Sequence, residues 1–238
     1  MTYKLKKQLK TLKGKEFVED ITNYIKSPHD FYGNKVPELR TMAKHLHEDN
    51  SLEGFYKIFN NLWESGYNDK TSLAINALKL YEDEFDLKTW KFIKPKLKDI
   101  KSWDQIDAVA KDIVGVIMIK NPKLEKEIIK MANGNDIWMK RMGIISTIPL
   151  IEKKNYSLAM QFVESYLNYA DENIQRAVGI VLRELSIQKP EQTKRFILKN
   201  MDMPKPVFYI ATEDMKELRK IQGLKKLKDK KGLFGFLR

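Results

Sequence analysis

The sequence predicts an all-α chain built as an α-solenoid of paired helices. Three observations carry that expectation. Apolar residues recur at helical spacing along most of the chain. From Ser51 onward they group into blocks of two amphipathic segments split by a polar break. The blocks begin near Ser51, Leu87, Pro122, Asn155 and Pro190, a period of about 35 residues that falls inside the window of helical repeats. No block shows the apolar-polar alternation of a half-buried strand. A helix pair of this kind cannot bury its apolar face alone, so successive pairs must stack.

Before the repeats, residues 1–26 read as basic amphipathic helix, with Leu5, Leu9, Leu12 and then Phe17, Ile21, Tyr24, Ile25 marking apolar faces. Ser27-Pro28 ends that segment, because a proline disfavours helix in the residue before it. Phe31-Tyr32-Gly33-Asn34-Lys35 reads as a turn feeding a helix near Pro37, a residue suited to a first helical turn. Within the repeats the breaks carry cap-forming residues: Asn68-Asp69, Ser102, Asn135-Asp136, Asp171 and Pro204. After residue 215 the composition turns to lysine and glycine, ending Gly-Leu-Phe-Gly-Phe-Leu-Arg. Two regions are therefore expected: a repeat domain over 1–215 and a weakly ordered basic tail over 216–238.

Composition narrows the function. The 238 residues carry 44 Lys+Arg against 32 Asp+Glu, a formal charge of +12. That excess points to nucleic acid, an anionic surface or another acidic partner. The absence of cysteine excludes disulfides and thiolate metal sites. Three histidines, His29, His45 and His47, are too few for a metal site, and they read as surface residues. No apolar run is long enough to cross a bilayer, and the lysine-rich start lacks the apolar core of a secretion signal. An intracellular protein is expected.

One stretch stands out: Lys101-Ser102-Trp103-Asp104-Gln105-Ile106-Asp107. With Ser102 as N-cap, Trp103 and Asp107 fall four apart on one face of the first two turns. There the helix dipole favours an ionised carboxylate. A carboxylate beside an indole in a basic protein suits chemistry on a cation carried by a polyanion; the plainer reading is a core tryptophan and a salt-bridged acid. The repeat register adds a clue. Five residues past the cap in three successive blocks stand Asp107, Arg141 and Arg176. Equivalent positions in stacked repeats point the same way, so the three are expected to line one surface, the concave one. Ile180, four residues past Arg176, shares its helical face.

These pieces, taken with others in the same order, resemble the AlkD-like DNA alkylation-repair glycosylases, which are built from HEAT-like repeats. The likeness is carried by Tyr32-Gly33 with Pro37-Glu38-Leu39-Arg40, by Leu62-Trp63-Glu64, and by Ser102-Trp103-Asp104 with Asp107. It continues in Asp136-Ile137-Trp138-Met139-Lys140-Arg141 and Gly179-Ile180-Val181-Leu182-Arg183-Glu184. The resemblance implies a concave basic groove that wraps double-stranded DNA and excises cationic N3- or N7-alkylated purines, without drawing the lesion into a deep pocket. By resemblance, Asp107 is the catalytic carboxylate, Trp103 an aromatic against the lesion nucleotide, and Arg141 an arginine on the DNA backbone. Tyr24 is a further aromatic of the cleft. Lys35 stands where relatives can carry a polar uncharged residue, and Ile180 stands where the family commonly has a second tryptophan.

The chemistry so implied needs no metal and no organic cofactor. An alkylated purine leaves as a neutral base, and positive charge then develops on the sugar. Asp107 would stabilise that charge and orient water. Trp103 would offer its π-face to the cation. Arg141 would clamp a phosphate; its alternative is a salt bridge between repeats, and Arg176 takes the same two readings. Trp63 and Trp138 read as core, while Trp90 shows no evident role. The lysines would supply salt-sensitive affinity. Two other functions stay open: a DNA-binding relative with little or no chemistry, favoured by Ile180, and a protein-binding scaffold. A monomer is expected.

Overall fold

In a computed structural model of the chain, the residues described are 30 and 36–221. They contain helices and turns and no strand. An isolated parallel bridge joins Asp30 to Tyr67. Two compact units divide between Pro149 and Leu150.

Among the described residues, the helices of the first unit begin with α1 (Val36–Glu48), with Pro37 in its first turn. Its helix pairs follow the predicted blocks. The first is α2 (Leu52–Trp63) and α3 (Asn68–Lys79). The second is α4 (Leu87–Ile93), then α5 (Trp103–Val109) running through a π-helical segment Ala110–Val114 into α6 (Gly115–Lys120). The third is α7 (Glu125–Asn133) and α8 (Ile137–Ile145); α9 (Ile148–Glu152) follows. Side-chain caps start several of these helices. Ser51 accepts from the Gly54 amide, Asp136 accepts from the amides of Trp138 and Met139, and Asp86 forms a reciprocal box with Thr89.

The repeat period reappears as physical ties between successive pairs. Tyr56 and Thr89 hydroxyls meet at 3.0 Å, 33 residues apart. Lys79 Nζ donates to Asp112 at 2.9 Å, again 33 apart, and Lys94 pairs with Glu127 at the same separation. The core between the ties is aliphatic and aromatic: Phe55, Phe59, Leu62, Leu73, Ile93, Ile106, Ile117 and Ile128 are fully buried.

Small residues let the helices approach. A Cβ on Gly115 would lie 2.5 Å from the Ser146 carbonyl oxygen and 2.8 Å from Pro149 Cγ. Neither atom is the end of a flexible chain, so Gly115→Ala must push backbone apart. We expect a loss of about 1–3 kcal/mol, as for other overpacked cores, read as a lower denaturant midpoint; an unchanged midpoint would refute this packing.

The second unit contains α10 (Ser157–Tyr166), α11 (Glu172–Gln188), α12 (Pro190–Lys199) and α13 (Lys205–Ala211). Asp171 caps α11 by accepting from the amides of Asn173 and Ile174. Residues 216–221 continue as helix. Leu218 is buried there, and Arg219 donates to the Tyr209 carbonyl at 2.7 Å. The segment expected as a loose appendage is thus packed at its start. No helix of the described residues is long and apolar enough to cross a membrane.

Candidate functional site

The organising stretch folds as the first turns of α5. Ser102 occupies the cap position, but its hydroxyl makes no cap bond to a backbone amide; it is buried beside the Asp104 carboxyl, whose pKa it pulls down against burial. The expected capping role of that side chain is therefore not realised. α5 itself ends at Val109. A π-helical segment begins three residues after Asp107, and such wide turns recur at functional sites. The segment is held from the preceding repeat by the Lys79–Asp112 pair.

Asp107 points forward, toward the next repeat. Arg141 Nε donates to its Oδ1 at 2.7 Å and Nη2 donates to Oδ2 at 2.6 Å. This is the two-pronged geometry that fixes a carboxylate plane most firmly. The partners are 34 residues apart, so equivalent register positions in successive repeats do meet. Their exposure differs: the Arg141 side chain is 2% exposed, while Asp107 keeps 22%. Burial pushes the Asp107 carboxyl up; Arg141 opposes that shift and the neighbouring Asp104 adds to it. Arg141 was expected on a phosphate. In the structure its guanidinium is buried and turned onto Asp107, which is the alternative inter-repeat bridge.

Asp104 is a participant that the sequence reading passed over, although carboxylates at i and i+3 share a helical face. It is half-buried, one of its oxygens lacks a hydrogen-bond partner, and burial pushes its carboxyl up. Trp103, one turn before Asp107, is half-buried. Next to Arg141, Lys140 is buried and donates to the Ala132 carbonyl at 2.6 Å; burial pushes its ammonium pKa down.

Arg176 and Ile180 lie on α11 in the second unit. Arg176 is exposed and bonded to Glu172 one turn back, with Nη2 at 2.6 Å. Ile180 is half-buried. Tyr24 and Lys35 lie outside the described residues. The tryptophan expectations are corrected. Trp63 and Trp138 are half-buried rather than core, Trp63 stacking on Phe59 at 5.1 Å. Trp90 is the buried one, and its Nε1 donates to Glu127 at 2.9 Å. His47, read as a surface residue, is half-buried with its ring edge-on to Tyr81 at 4.5 Å.

Comparison with known proteins gives a consistent picture. The family model described as DNA alkylation repair enzyme matches residues 5–215. No curated protein matches the chain. Among solved structures, a predicted DNA alkylation repair enzyme from Enterococcus faecalis superposes with a TM-score of 0.74 at 18% identity, covering 87% of this chain and 98% of its own. AlkD2 from Streptococcus mutans gives 0.56 at 16% identity, over 83% and 97%. The smu.31 protein of Streptococcus mutans UA159 gives 0.56 at 16%, over 74% and 91%. At these identities the likenesses speak for the fold.

Proposed function

The chain belongs to the DNA alkylation repair enzyme family, and on that footing we propose that it is a monofunctional glycosylase removing cationic N3- or N7-alkylated purines from double-stranded DNA. The observation that carries the reading is the Asp107–Arg141 pair. A carboxylate gripped by a buried guanidinium, yet still 22% exposed, is a negative charge fixed in place and open to a ligand.

The reaction follows from that charge. The C1′–N bond breaks and its electron pair leaves with the base, which thereby becomes neutral. Positive charge spreads over C1′ and the ring oxygen. Asp107 stabilises it and orients a water, whose oxygen bonds to C1′ while its proton passes to the carboxylate and on to solvent. Trp103 lies against the cationic nucleotide. Arg141 acts as a positioning residue through Asp107. The reaction so written requires no metal and no organic cofactor. The excess of basic residues supplies affinity that weakens steeply with salt. As part of this reading, the protein acts inside the cell as a monomer that binds the duplex through its HEAT-like repeats.

A duplex carrying one N7-methylguanine tests the proposal. Release of free base above the spontaneous rate supports it. Binding of that duplex with no release supports the second reading, a binding protein of the same family, which rests on Ile180 standing in place of an aromatic. Ile180→Trp checks this directly. A ring that meets the cation contributes about 0.5–2 kcal/mol, so excision should rise roughly 2- to 30-fold, measured by the same base release. No rise, in a variant that keeps its melting temperature, would show that the missing ring is not limiting.

A further inference from the structure

The first unit contains a pocket of about 300 Å³ that the glycosylase reading does not use. It lies where the 3-10 segment Lys94–Asp99 meets α7 and α8, and it is lined by Lys94, Pro95, Leu97, Lys98, Met131 and Met139. Apart from the two lysine heads, every lining side chain is apolar. Met131 and Met139 are half-buried, and methionine adapts its shape to what enters. The surroundings are strongly basic: Lys88, Lys91, Lys94, Lys96, Lys98 and Lys101 crowd one stretch of chain. Lys94 is held by Glu127, and Lys101 by Asp136 at 3.7 Å. Lys91, Lys98 and Lys130 are exposed and form no salt bridge among the described residues, although the Lys130 charge helps to hold the Glu127 carboxyl down.

We propose that this pocket docks an acidic peptide segment of a partner protein, with one large apolar side chain seated between Met131 and Met139 and acidic residues on Lys98, Lys91 and Lys130. Charge complementarity selects an anionic partner. The pocket floor then selects among anionic partners. A nucleobase buried there would leave its donors and acceptors without counterparts, at a cost of several kcal/mol. An aliphatic or aromatic side chain loses nothing, and the volume, at the lower edge of ligand pockets, holds one such group. This is anchor recognition with a charged rim. It does not depend on the glycosylase reading, because no residue of the pocket belongs to the Asp107 site.

The probe is a synthetic fluorescein-labelled peptide of alternating Glu and Asp with a single central Phe, alongside the same peptide with Gly at the centre. Fluorescence anisotropy at moderate salt reports affinity for the full chain. The Phe peptide should bind at least about tenfold more tightly than the Gly peptide. Met131→Lys gives opposite expectations for two mechanisms. It adds positive charge, so simple electrostatic attraction predicts tighter binding, whereas an occupied pocket predicts binding at least tenfold weaker. Equal affinity of the two peptides, or tighter binding to M131K, overturns the proposal. Should M131K fail to fold, methyl-labelled methionine NMR of the unaltered protein decides the matter. The Met131 and Met139 methyl signals should move with the Phe peptide and stay with the Gly peptide. Movement of those same methyls by duplex DNA, with displacement of the peptide, would assign the pocket to nucleic acid and overturn the peptide reading.

Discussion

Asp107→Asn should slow release of N7-methylguanine by at least about a hundredfold, the scale of removing one preorganised charge from a transition state. Duplex binding should stay equal or tighten. The substitution keeps shape and one acceptor oxygen but removes the negative charge. On the proposed mechanism that charge faces phosphates in the ground state and repels them, and faces a developing cation in the transition state. The same change therefore acts in opposite directions on binding and on chemistry, which separates a catalytic role from a structural one. Stability should change little. Burial pushes the Asp107 carboxyl up even with Arg141 beside it, so the folded chain is not weakened when that group is neutral, and the amide oxygen can still accept from the guanidinium. An unchanged melting temperature checks this. A variant that binds, stays folded and releases base at the unaltered rate would remove Asp107 from the mechanism.

The parts of this fold that were legible in advance are those governed by local chemistry. The apolar periodicity and the polar breaks located the helix pairs near their observed starts, at Leu52, Leu87 and Ser157 among others. Asp136 and Asp171 cap as expected because a carboxylate two or three residues before free amides needs nothing further along the chain. What stayed hidden depends on partners chosen at long range. Trp90 looked idle because its acceptor, Glu127, is 37 residues away. Ser102 has the identity of a cap, yet its hydroxyl is buried with no cap bond to an amide. The π-helical turn leaves no mark in an apolar pattern, since one inserted residue shifts the register without changing composition.

The candidate site divides along the same line. The register placed Asp107 and Arg141 at equivalent positions of successive repeats, and in the structure these side chains meet. What the register does not encode is which partner a guanidinium takes when a carboxylate and a phosphate are both plausible. In the folded chain, before any DNA arrives, the nearby carboxylate takes it. Arg141 is then withdrawn from solvent, and a group so withdrawn presents almost no surface to a backbone phosphate.

Arg141→Met separates the two roles of that arginine. Burial already raises the Asp107 pKa, and the guanidinium is the group that pulls it back down. Without the guanidinium the pKa climbs further. On the proposed mechanism the ionised carboxylate is the active form, so the acid limb of the excision profile should move to higher pH, with activity regained as pH rises. Stability runs the other way. A carboxyl whose folded pKa exceeds its unfolded value binds more protons in the folded state. Its ionisation therefore erodes stability as pH rises through the folded pKa. The melting deficit of Arg141→Met should be small in acid, where Asp107 is protonated in both states. It should grow toward about 3–5 kcal/mol once the unpaired carboxylate ionises. A phosphate clamp predicts something different: an unmoved acid limb, and a salt slope of duplex binding shallower by about 0.9 per lost contact. Measuring the pH profile and the salt slope on one variant thus distinguishes an arginine that aims Asp107 from one that holds DNA. A shallower slope with an unmoved acid limb would return Arg141 to the backbone.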